Sequence, residues 1–283
     1  MILELIEYVT TPCSWVARRL GYLNGQIGIK VRHRQCRRAW KSHLERTQQT
    51  IRAAILDCPQ RRKAVILGSG LLLDVPLVDL ASVFREVILV DVVHPLSAHA
   101  IARWRRNVSL VRADVTETAK ELASVANDAS KPLPTALPKL FCDDAEVDYV
   151  VSVNLLSQLP YVPSYYLEKK SRPESEIEAY SRSLIDSHLD YLQRLPGIVT
   201  LITDVEKLKI DPRGQIEDRY DILYGATLPR PDEEWIWEHV PLGHLSREFS
   251  YHRRVCAIRN LKEAAARDLL ADGNPAQVED TRQ

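Results

Sequence analysis

Ala64-Val65-Ile66-Leu67-Gly68-Ser69-Gly70-Leu71-Leu72-Leu73-Asp74 opens with four apolar residues and stops abruptly at two glycines one residue apart. The apolar run is too short for a helix and contains β-branched residues, as in a strand buried on both faces. Gly68 and Gly70 permit positive φ and let the backbone approach a ligand where a side chain would stand in the way. A helix that follows such a turn presents unpaired N–H groups, which favour a phosphate or a carboxylate. On its own, Gly-x-Gly is also all that a plain tight turn needs.

Outward from that turn the same pattern repeats. Residues 87–90, 109–112, 147–153 and 198–202 are further short runs rich in Val, Ile and Leu, and helical periodicity fills 74–83, 95–106, 117–126 and 174–195 between them. Strands alternating with helices predict a parallel sheet with right-handed crossovers. After the fifth strand the alternation stops. Residues 234–240 and 249–258 read as two strands joined by a short loop, hence antiparallel to each other. Asn127 to Asp144 and Tyr161 to Ser175 read as surface loops, and the residues after Asp272 as a frayed polar tail.

Residues 1–60 read as a helical extension or lid. Trp15, Val16, Leu20 and Leu23 recur at helical spacing, a break is expected near Gly25-Gly28, and a polar helix runs from Val31 to Leu56, ending before Pro59. That helix carries Lys30, Arg32, Arg34, Arg37, Arg38, Lys41 and Arg46, interrupted by Trp40 and Leu44. A run of this kind is ordinarily a solvated face, with phosphate or acid binding as the alternative. The domain division is then 1–60, a ligand-binding domain over 61–262, and 263–283 as a helix end and tail.

The 283 residues, 45% of them hydrophobic, are enough to bury a sizeable core. Lysine plus arginine equals aspartate plus glutamate at 38 each, so no global field draws the chain to nucleic acid or to an anionic membrane. Cys13, Cys36, Cys58, Cys142 and Cys256 are scattered without metal-ligand spacing, which suits a reducing compartment and predicts no metal. No apolar stretch approaches a membrane span, and a cytoplasmic location is expected.

The second strand ends in Asp91, about 20 residues beyond the glycines, where a carboxylate can accept bonds from both hydroxyls of a ribose. The third ends in Asp114. Both lie at the edge of the sheet where open α/β proteins bind ligands, although Asp at such a place also caps the next helix.

On these residues the segment from about Lys63 to Ile258 resembles the class I S-adenosylmethionine-dependent methyltransferases. The resemblance implies a Rossmann-like, doubly wound, mostly parallel seven-stranded sheet with an antiparallel last strand. It implies S-adenosylmethionine as cofactor, held by Gly68, Ser69, Gly70, Asp91, Val92, Asp114, Val115, Asn154 and Leu155. The family's acid two positions before the first glycine is Ile66 here, and its third glycine is Leu72, so the contact to the cofactor's amino group is expected to weaken or to pass to Asp74. Dehydrogenases that bind a nicotinamide dinucleotide share the Gly-x-Gly turn, but their third glycine would be Leu73, crowding helix against strand. The glycine-turn segment is also similar to that of nicotianamine synthases, which transfer an aminocarboxypropyl group from the same cofactor.

Methyl transfer asks mainly that an acceptor be held in line and, where necessary, lose a proton, so no fixed catalytic signature is expected. Gln158 is expected to orient an acceptor, and Tyr161 and Tyr165 to offer ring faces to a cation. Three functions follow: a methyltransferase acting on a small or medium-sized acceptor, a catalytically inactive binding or regulatory subunit of the same fold, and a nucleic-acid-modifying enzyme using the basic helix. Trp235 and Trp237 share one face of their strand and are expected to pack under the N-terminal helices.

Overall fold

The computed structural model describes residues 2–272; the tail expected beyond Asp272 lies outside the described residues. The elements in chain order are α1 (Ile2–Thr10), α2 (Trp15–Leu20), α3 (Tyr22–Gln35), α4 (Arg37–Leu56), β1 (Lys63–Leu67), α5 (Leu77–Val83), β2 (Glu86–Asp91), α6 (Leu96–Trp104) and β3 (Val108–Arg112). They continue with α7 (Ala119–Val125), β4 (Val147–Val153), a 3-10 turn (Leu156–Gln158), α8 (Tyr161–Glu168), α9 (Glu174–Arg194), β5 (Ile198–Ile210), β6 (Ile216–Asp221), β7 (Glu233–Val240), β8 (Ser250–Ile258) and α10 (Leu261–Asp272).

The class is α/β, and the sheet order is β3-β2-β1-β4-β5-β8-β7. Strands β1 to β5 pair in parallel, while β8 is inserted between β5 and β7 and runs antiparallel to both. Successive residues of each central strand enter opposite cores, as the pleat requires. Val65, Leu67, Val90 and Val150 meet α7 and α9 on one face; Ala64, Ile66, Leu89 and Val151 meet α4, α5 and β7 on the other.

Among the described residues the sheet has eight strands, one more than expected. Strand β5 runs on to Ile210 and folds back as β6 around Asp211, whose carboxylate accepts from the Arg213 and Gln215 amides, with Gly214 at φ +83°. Every residue of β6 is exposed, so the hairpin offered no apolar alternation to read; cross-strand pairs such as Lys209 with Glu217 at 2.9 Å hold it instead.

Three local expectations are also corrected. The segment 161–175 is not all loop: its first half is α8, anchored by buried Pro163, Tyr166 and Leu167. Helix α3 runs through Gly25 and Gly28, and the break falls at Cys36 (φ −105°, ψ 20°). Gly25 is instead a contact point: a Cβ there would lie 3.7 Å from Val162 of α8. Nor is the whole N-terminal segment a lid, because Trp40, Ile51, Ala54 and Ile55 of α4 are part of the sheet's own core.

Candidate functional site

Gly68 (φ +73°) and Gly70 (φ +47°) turn the chain back at the end of β1. The Gly68 and Ser69 amides both donate to Val90 O, at 3.0 and 3.2 Å, so the turn is tied to β2. Asp91 completes the tie: Oδ2 accepts from the Gly70 amide at 2.7 Å and Oδ1 from the Val93 amide at 3.2 Å. Burial raises the Asp91 carboxyl above the usual range, opposed by those amide bonds and by nearby His94. Leu72, where the resembled family has glycine, keeps the backbone a glycine would favour, with φ +59°. A left-handed leucine costs roughly 1 kcal/mol, which the surrounding bonds must sustain.

Asp114 does what a helix cap does. Its two oxygens accept from the amides of Thr116 (3.0 Å), Thr118 (3.0 Å) and Ala119 (2.8 Å) and from the Thr116 hydroxyl. These bonds use the carboxylate's acceptor capacity at the start of α7. Val115 is a core side chain, and Ile66 is fully buried.

Strand β4 is followed by Asn154, also left-handed (φ +48°), whose backbone amide donates to Ile202 O at 2.8 Å. Its side chain meets two residues far away in sequence: Nδ2 lies 2.7 Å from Asp74 Oδ2 and 3.3 Å from His43 Nε2. His43 Nδ1 accepts from Trp235 Nε1 at 3.1 Å, which leaves the ring proton on Nε2. An N–H cannot bond to an amide NH2. The Trp235, His43 and Asp74 donors all find acceptors with the Asn154 amide turned over, its oxygen accepting from both His43 Nε2 and a protonated Asp74. Burial raises the Asp74 carboxyl, the direction such a proton needs, and lowers the His43 ring to about 3. The other atom of the Asn154 amide is buried without a protein partner, as is Ser69 Oγ on the glycine turn.

From Asn154 the wall continues through the 3-10 turn. Gln158 Nε2 bonds back to Asn154 O, and Ser157 Oγ donates to Asp204 Oδ1 on β5. Asp204 in turn pairs with Arg253 of β8 at 3.2 Å. Trp237 of β7 stacks on His43 with centroids 4.0 Å apart, and Trp40 meets Trp237 edge-on at 4.9 Å, so both tryptophans of β7 pack under α4 as expected.

The N-terminal helices close the strand ends. Gln26 of α3 donates to Val93 O at 2.6 Å, and Tyr22 and Leu23 pack with Val92 and Val93. Burial, then the charge of Asp114, pushes the Tyr22 hydroxyl well up.

The structure thus brings together Gly68, Ser69, Gly70, Asp74, Asp91, Asn154, Leu155 and Gln158. Leu155 packs so closely on the glycine turn that a Cβ at Gly68 would lie 2.9 Å from its own Cβ. Tyr161 and Tyr165 are not brought in; at 69% and 55% exposure they project from α8 into solvent. His94 is buried and donates through Nε2 to Val111 O, a packing role. His43, Asp204, Arg253, Tyr22 and Gln26 went unread in the sequence, and only the alternation of Trp40 and Leu44 within the basic helix hinted that α4 faces inward. Surface hollows bounded by Asp186, Leu189 and Leu261, and by Pro138, Ser187 and Arg194, lie toward the end of α9 that leads into β5, away from these strand ends. Among the described residues no three His, Cys, Asp or Glu side chains gather to hold a metal, and no helix is long and apolar enough to cross a membrane.

No family model and no curated protein matches the sequence. Solved structures do resemble it. A Burkholderia thailandensis 1,6-didemethyltoxoflavin-N1-methyltransferase, with bound 1,6-didemethyltoxoflavin and S-adenosylhomocysteine, is 12% identical over 87% of this chain and 92% of its own, at a TM-score of 0.36. The glycopeptide N-methyltransferase MtfA, complexed with S-adenosylmethionine, is 15% identical over 80% and 82% at 0.27. The 23S rRNA methyltransferase ErmE is 11% identical over 81% and 79% at 0.27. Scores of this size describe a loose likeness of architecture.

Proposed function

We propose that the chain is an S-adenosylmethionine-dependent transferase, a methyltransferase acting on a small or medium-sized acceptor. One observation carries this reading: the Asp91 carboxylate, at the end of β2, clasps the Gly70 amide of a glycine turn in a sheet whose reversed strand β8 lies between β5 and β7. The residues fit the cofactor in part. Asp91 retains acceptor capacity for ribose hydroxyls, and Ser69 Oγ with the free atom of the Asn154 amide offers unpaired polar groups beside the turn. With Ile66 in the core, the cofactor's amino group falls to the second carboxyl oxygen of Asp74, the acceptor left in the Asp74–Asn154 pair. Asp114 is committed to α7, so the adenine edge is left to the backbone around Val115 and to the ring of Tyr22.

The bound cofactor supplies a methyl group on a cationic sulfonium. The protein's share is positional: Asn154, fixed by His43 and Asp74, directs the acceptor atom, and α3 with Gln26 excludes water. His43 is neutral and engaged at both ring nitrogens, so the acceptor's proton leaves to solvent. Calorimetry with S-adenosylmethionine and S-adenosylhomocysteine tests the reading; no heat of binding at millimolar ligand overturns it.

A second reading, an inactive binding or regulatory subunit, draws on Leu155 lying against Gly68 and on the saturated Asp114. Cofactor-dependent product from a cell extract excludes it. The mass gained by that product, a methyl or an aminocarboxypropyl group, distinguishes the two transfers. A nucleic-acid substrate is disfavoured by the net charge of zero and by Lys30 of the basic run being paired with Glu7 at 2.7 Å.

A further inference from the structure

The two faces of β8 treat charge differently. On one, Arg254 sits between Glu206 at 3.3 Å and Glu234 at 2.8 Å, and Arg219 of β6 reaches the same Glu206 at 3.1 Å. Each cation there has a carboxylate. On the face covered by α4, Arg253 spends one guanidinium nitrogen on Asp204, while its Nε is buried and has no partner. Directly opposite in the ladder, Trp237 is 8% exposed, and its Nε1 is buried without a partner too. On the other flank, also opposite Arg253, Lys207 lies 3.9 Å from the Tyr251 ring centroid, and among the described residues no carboxylate pairs with it. The His239 ring, edge-on to Trp237 with centroids 4.6 Å apart, is pushed down to about 3 by burial, then by the positive charges of Arg253, Arg32 and Lys207.

A buried donor left unmade costs about 1–3 kcal/mol, so native proteins tolerate few of them. Here the shortage is of one kind. Arg253 Nε and Trp237 Nε1, neighbours across the ladder, and Lys207 Nζ on the other flank are three N–H donors, two of them cationic, that no carboxylate answers among the described residues. Water can bond to such donors but cannot neutralise their charge; an oxyanion does both. Asp204 already offsets Arg253, so Lys207 is the cation on this sheet face left without a counter-charge. One uncompensated cation matches the single charge of a carboxylate better than the nearly double charge of a phosphate.

We infer that the acceptor carries a carboxylate, seated on Arg253 Nε, Trp237 Nε1 and Lys207 Nζ, with its reacting atom directed along the wall toward Asn154. This assignment rests on the acceptor site proposed above. The wall is continuous: Asn154 touches His43, His43 stacks on Trp237, Trp237 faces Arg253, and Arg253 returns through Asp204 to Ser157, three residues beyond Asn154. A small molecule with a nucleophile at one end and a carboxylate at the other would span it.

The test is a titration of the full-length chain, labelled with nitrogen-15, with benzoate, succinate and glutarate, with the corresponding amides, and with inorganic phosphate. The Trp237 indole signal, assigned by its disappearance in Trp237→Phe, is the reporter. The inference expects the carboxylates to move it and the amides to leave it in place. Binding is expected to weaken about tenfold or more in Arg253→Gln, as for loss of a bond to a charged group. Lys207→Gln, which keeps the Arg253–Asp204 pair, should weaken it in the same sense if Arg253→Gln does not fold. Equal response to amides, response to phosphate alone, or no response to any carboxylate overturns the inference. Calorimetry with S-adenosylhomocysteine on the same samples reads the cofactor separately: carboxylate binding without cofactor binding sinks the transferase and spares the anion site, and the reverse does the opposite.

Discussion

The ends of β1, β2 and β3 and the ends of β4, β5, β8 and β7 form two halves of one edge, and they are built on opposite terms. In the first half the two carboxylates are answered, Asp91 by the Gly70 and Val93 amides and Asp114 by three amides and a hydroxyl, and the unpartnered atoms, Ser69 Oγ and His94 Nδ1, belong to neutral groups. In the second half Arg253, Trp237 and Asn154 each keep a buried polar atom without a protein partner. A half that satisfies itself is rigid before any ligand arrives. A half that does not is incomplete until one does, the division that the proposed function calls for between a constant cofactor and the molecule that defines specificity.

Acid breaks this comparison hardest. His43, against Trp237, and His188, bonded to Ser152 behind β4, both have rings lowered from 6.5 to about 3 by burial. The unfolded chain protonates these histidines below 6.5 while the fold refuses the proton down to about 3. Stability is therefore lost as pH falls through that window, by about 2 kcal/mol for each ring between neutrality and pH ~5. Thermal unfolding across that range, followed by tryptophan fluorescence from Trp40, Trp235 and Trp237, should flatten in His43→Gln and His188→Asn.

Gly68→Ala comes next. It places a Cβ 2.9 Å from Leu155 at φ +73°, and should cost about 3 kcal/mol of stability together with detectable cofactor binding. Removing the obstructing side chain as well, in Gly68→Ala with Leu155→Ala, should recover part of the loss in a denaturant titration. Asp91→Ala should cost about 2 kcal/mol in S-adenosylhomocysteine affinity, because the Gly70 and Val93 amides lose their acceptor as well as the ribose losing its own. The smallest effect sharpens the picture of Asn154. If Asp74 holds a proton there, Asp74→Asn should stay within about 1 kcal/mol of the parent and Asp74→Ala should fall further, and an asparagine as damaging as the alanine would refute the protonated chain.

The first half was largely legible in the sequence and the second was not. Gly68, Gly70 and Asp91 announce themselves because a strand end, a tight turn and the next strand end are local events. Asp114 was legible as a strand-end carboxylate assigned to the cofactor, with capping as the alternative; the Thr116 and Thr118 donors that gather on it were not read. Strand β6 escaped because all its residues face solvent, and α8 because the proline-containing run Tyr161 to Glu168 looked like a loop. Arg253 and Lys207 are 46 residues apart and meet only because β8 slides between β5 and β7. Nothing in either strand's own pattern encodes that neighbour.

That insertion also orders assembly in time. During synthesis β5 and β7 leave the ribosome with nothing between them, and the strand that joins them emerges afterwards carrying Arg253. Until then both present open edges, the surfaces on which strands of different molecules pair by mistake. The anion-binding wall is thus among the last parts of the protein to exist, and a nascent chain stopped short of Ser250 would carry the glycine turn and Asp91 but no wall for an acceptor.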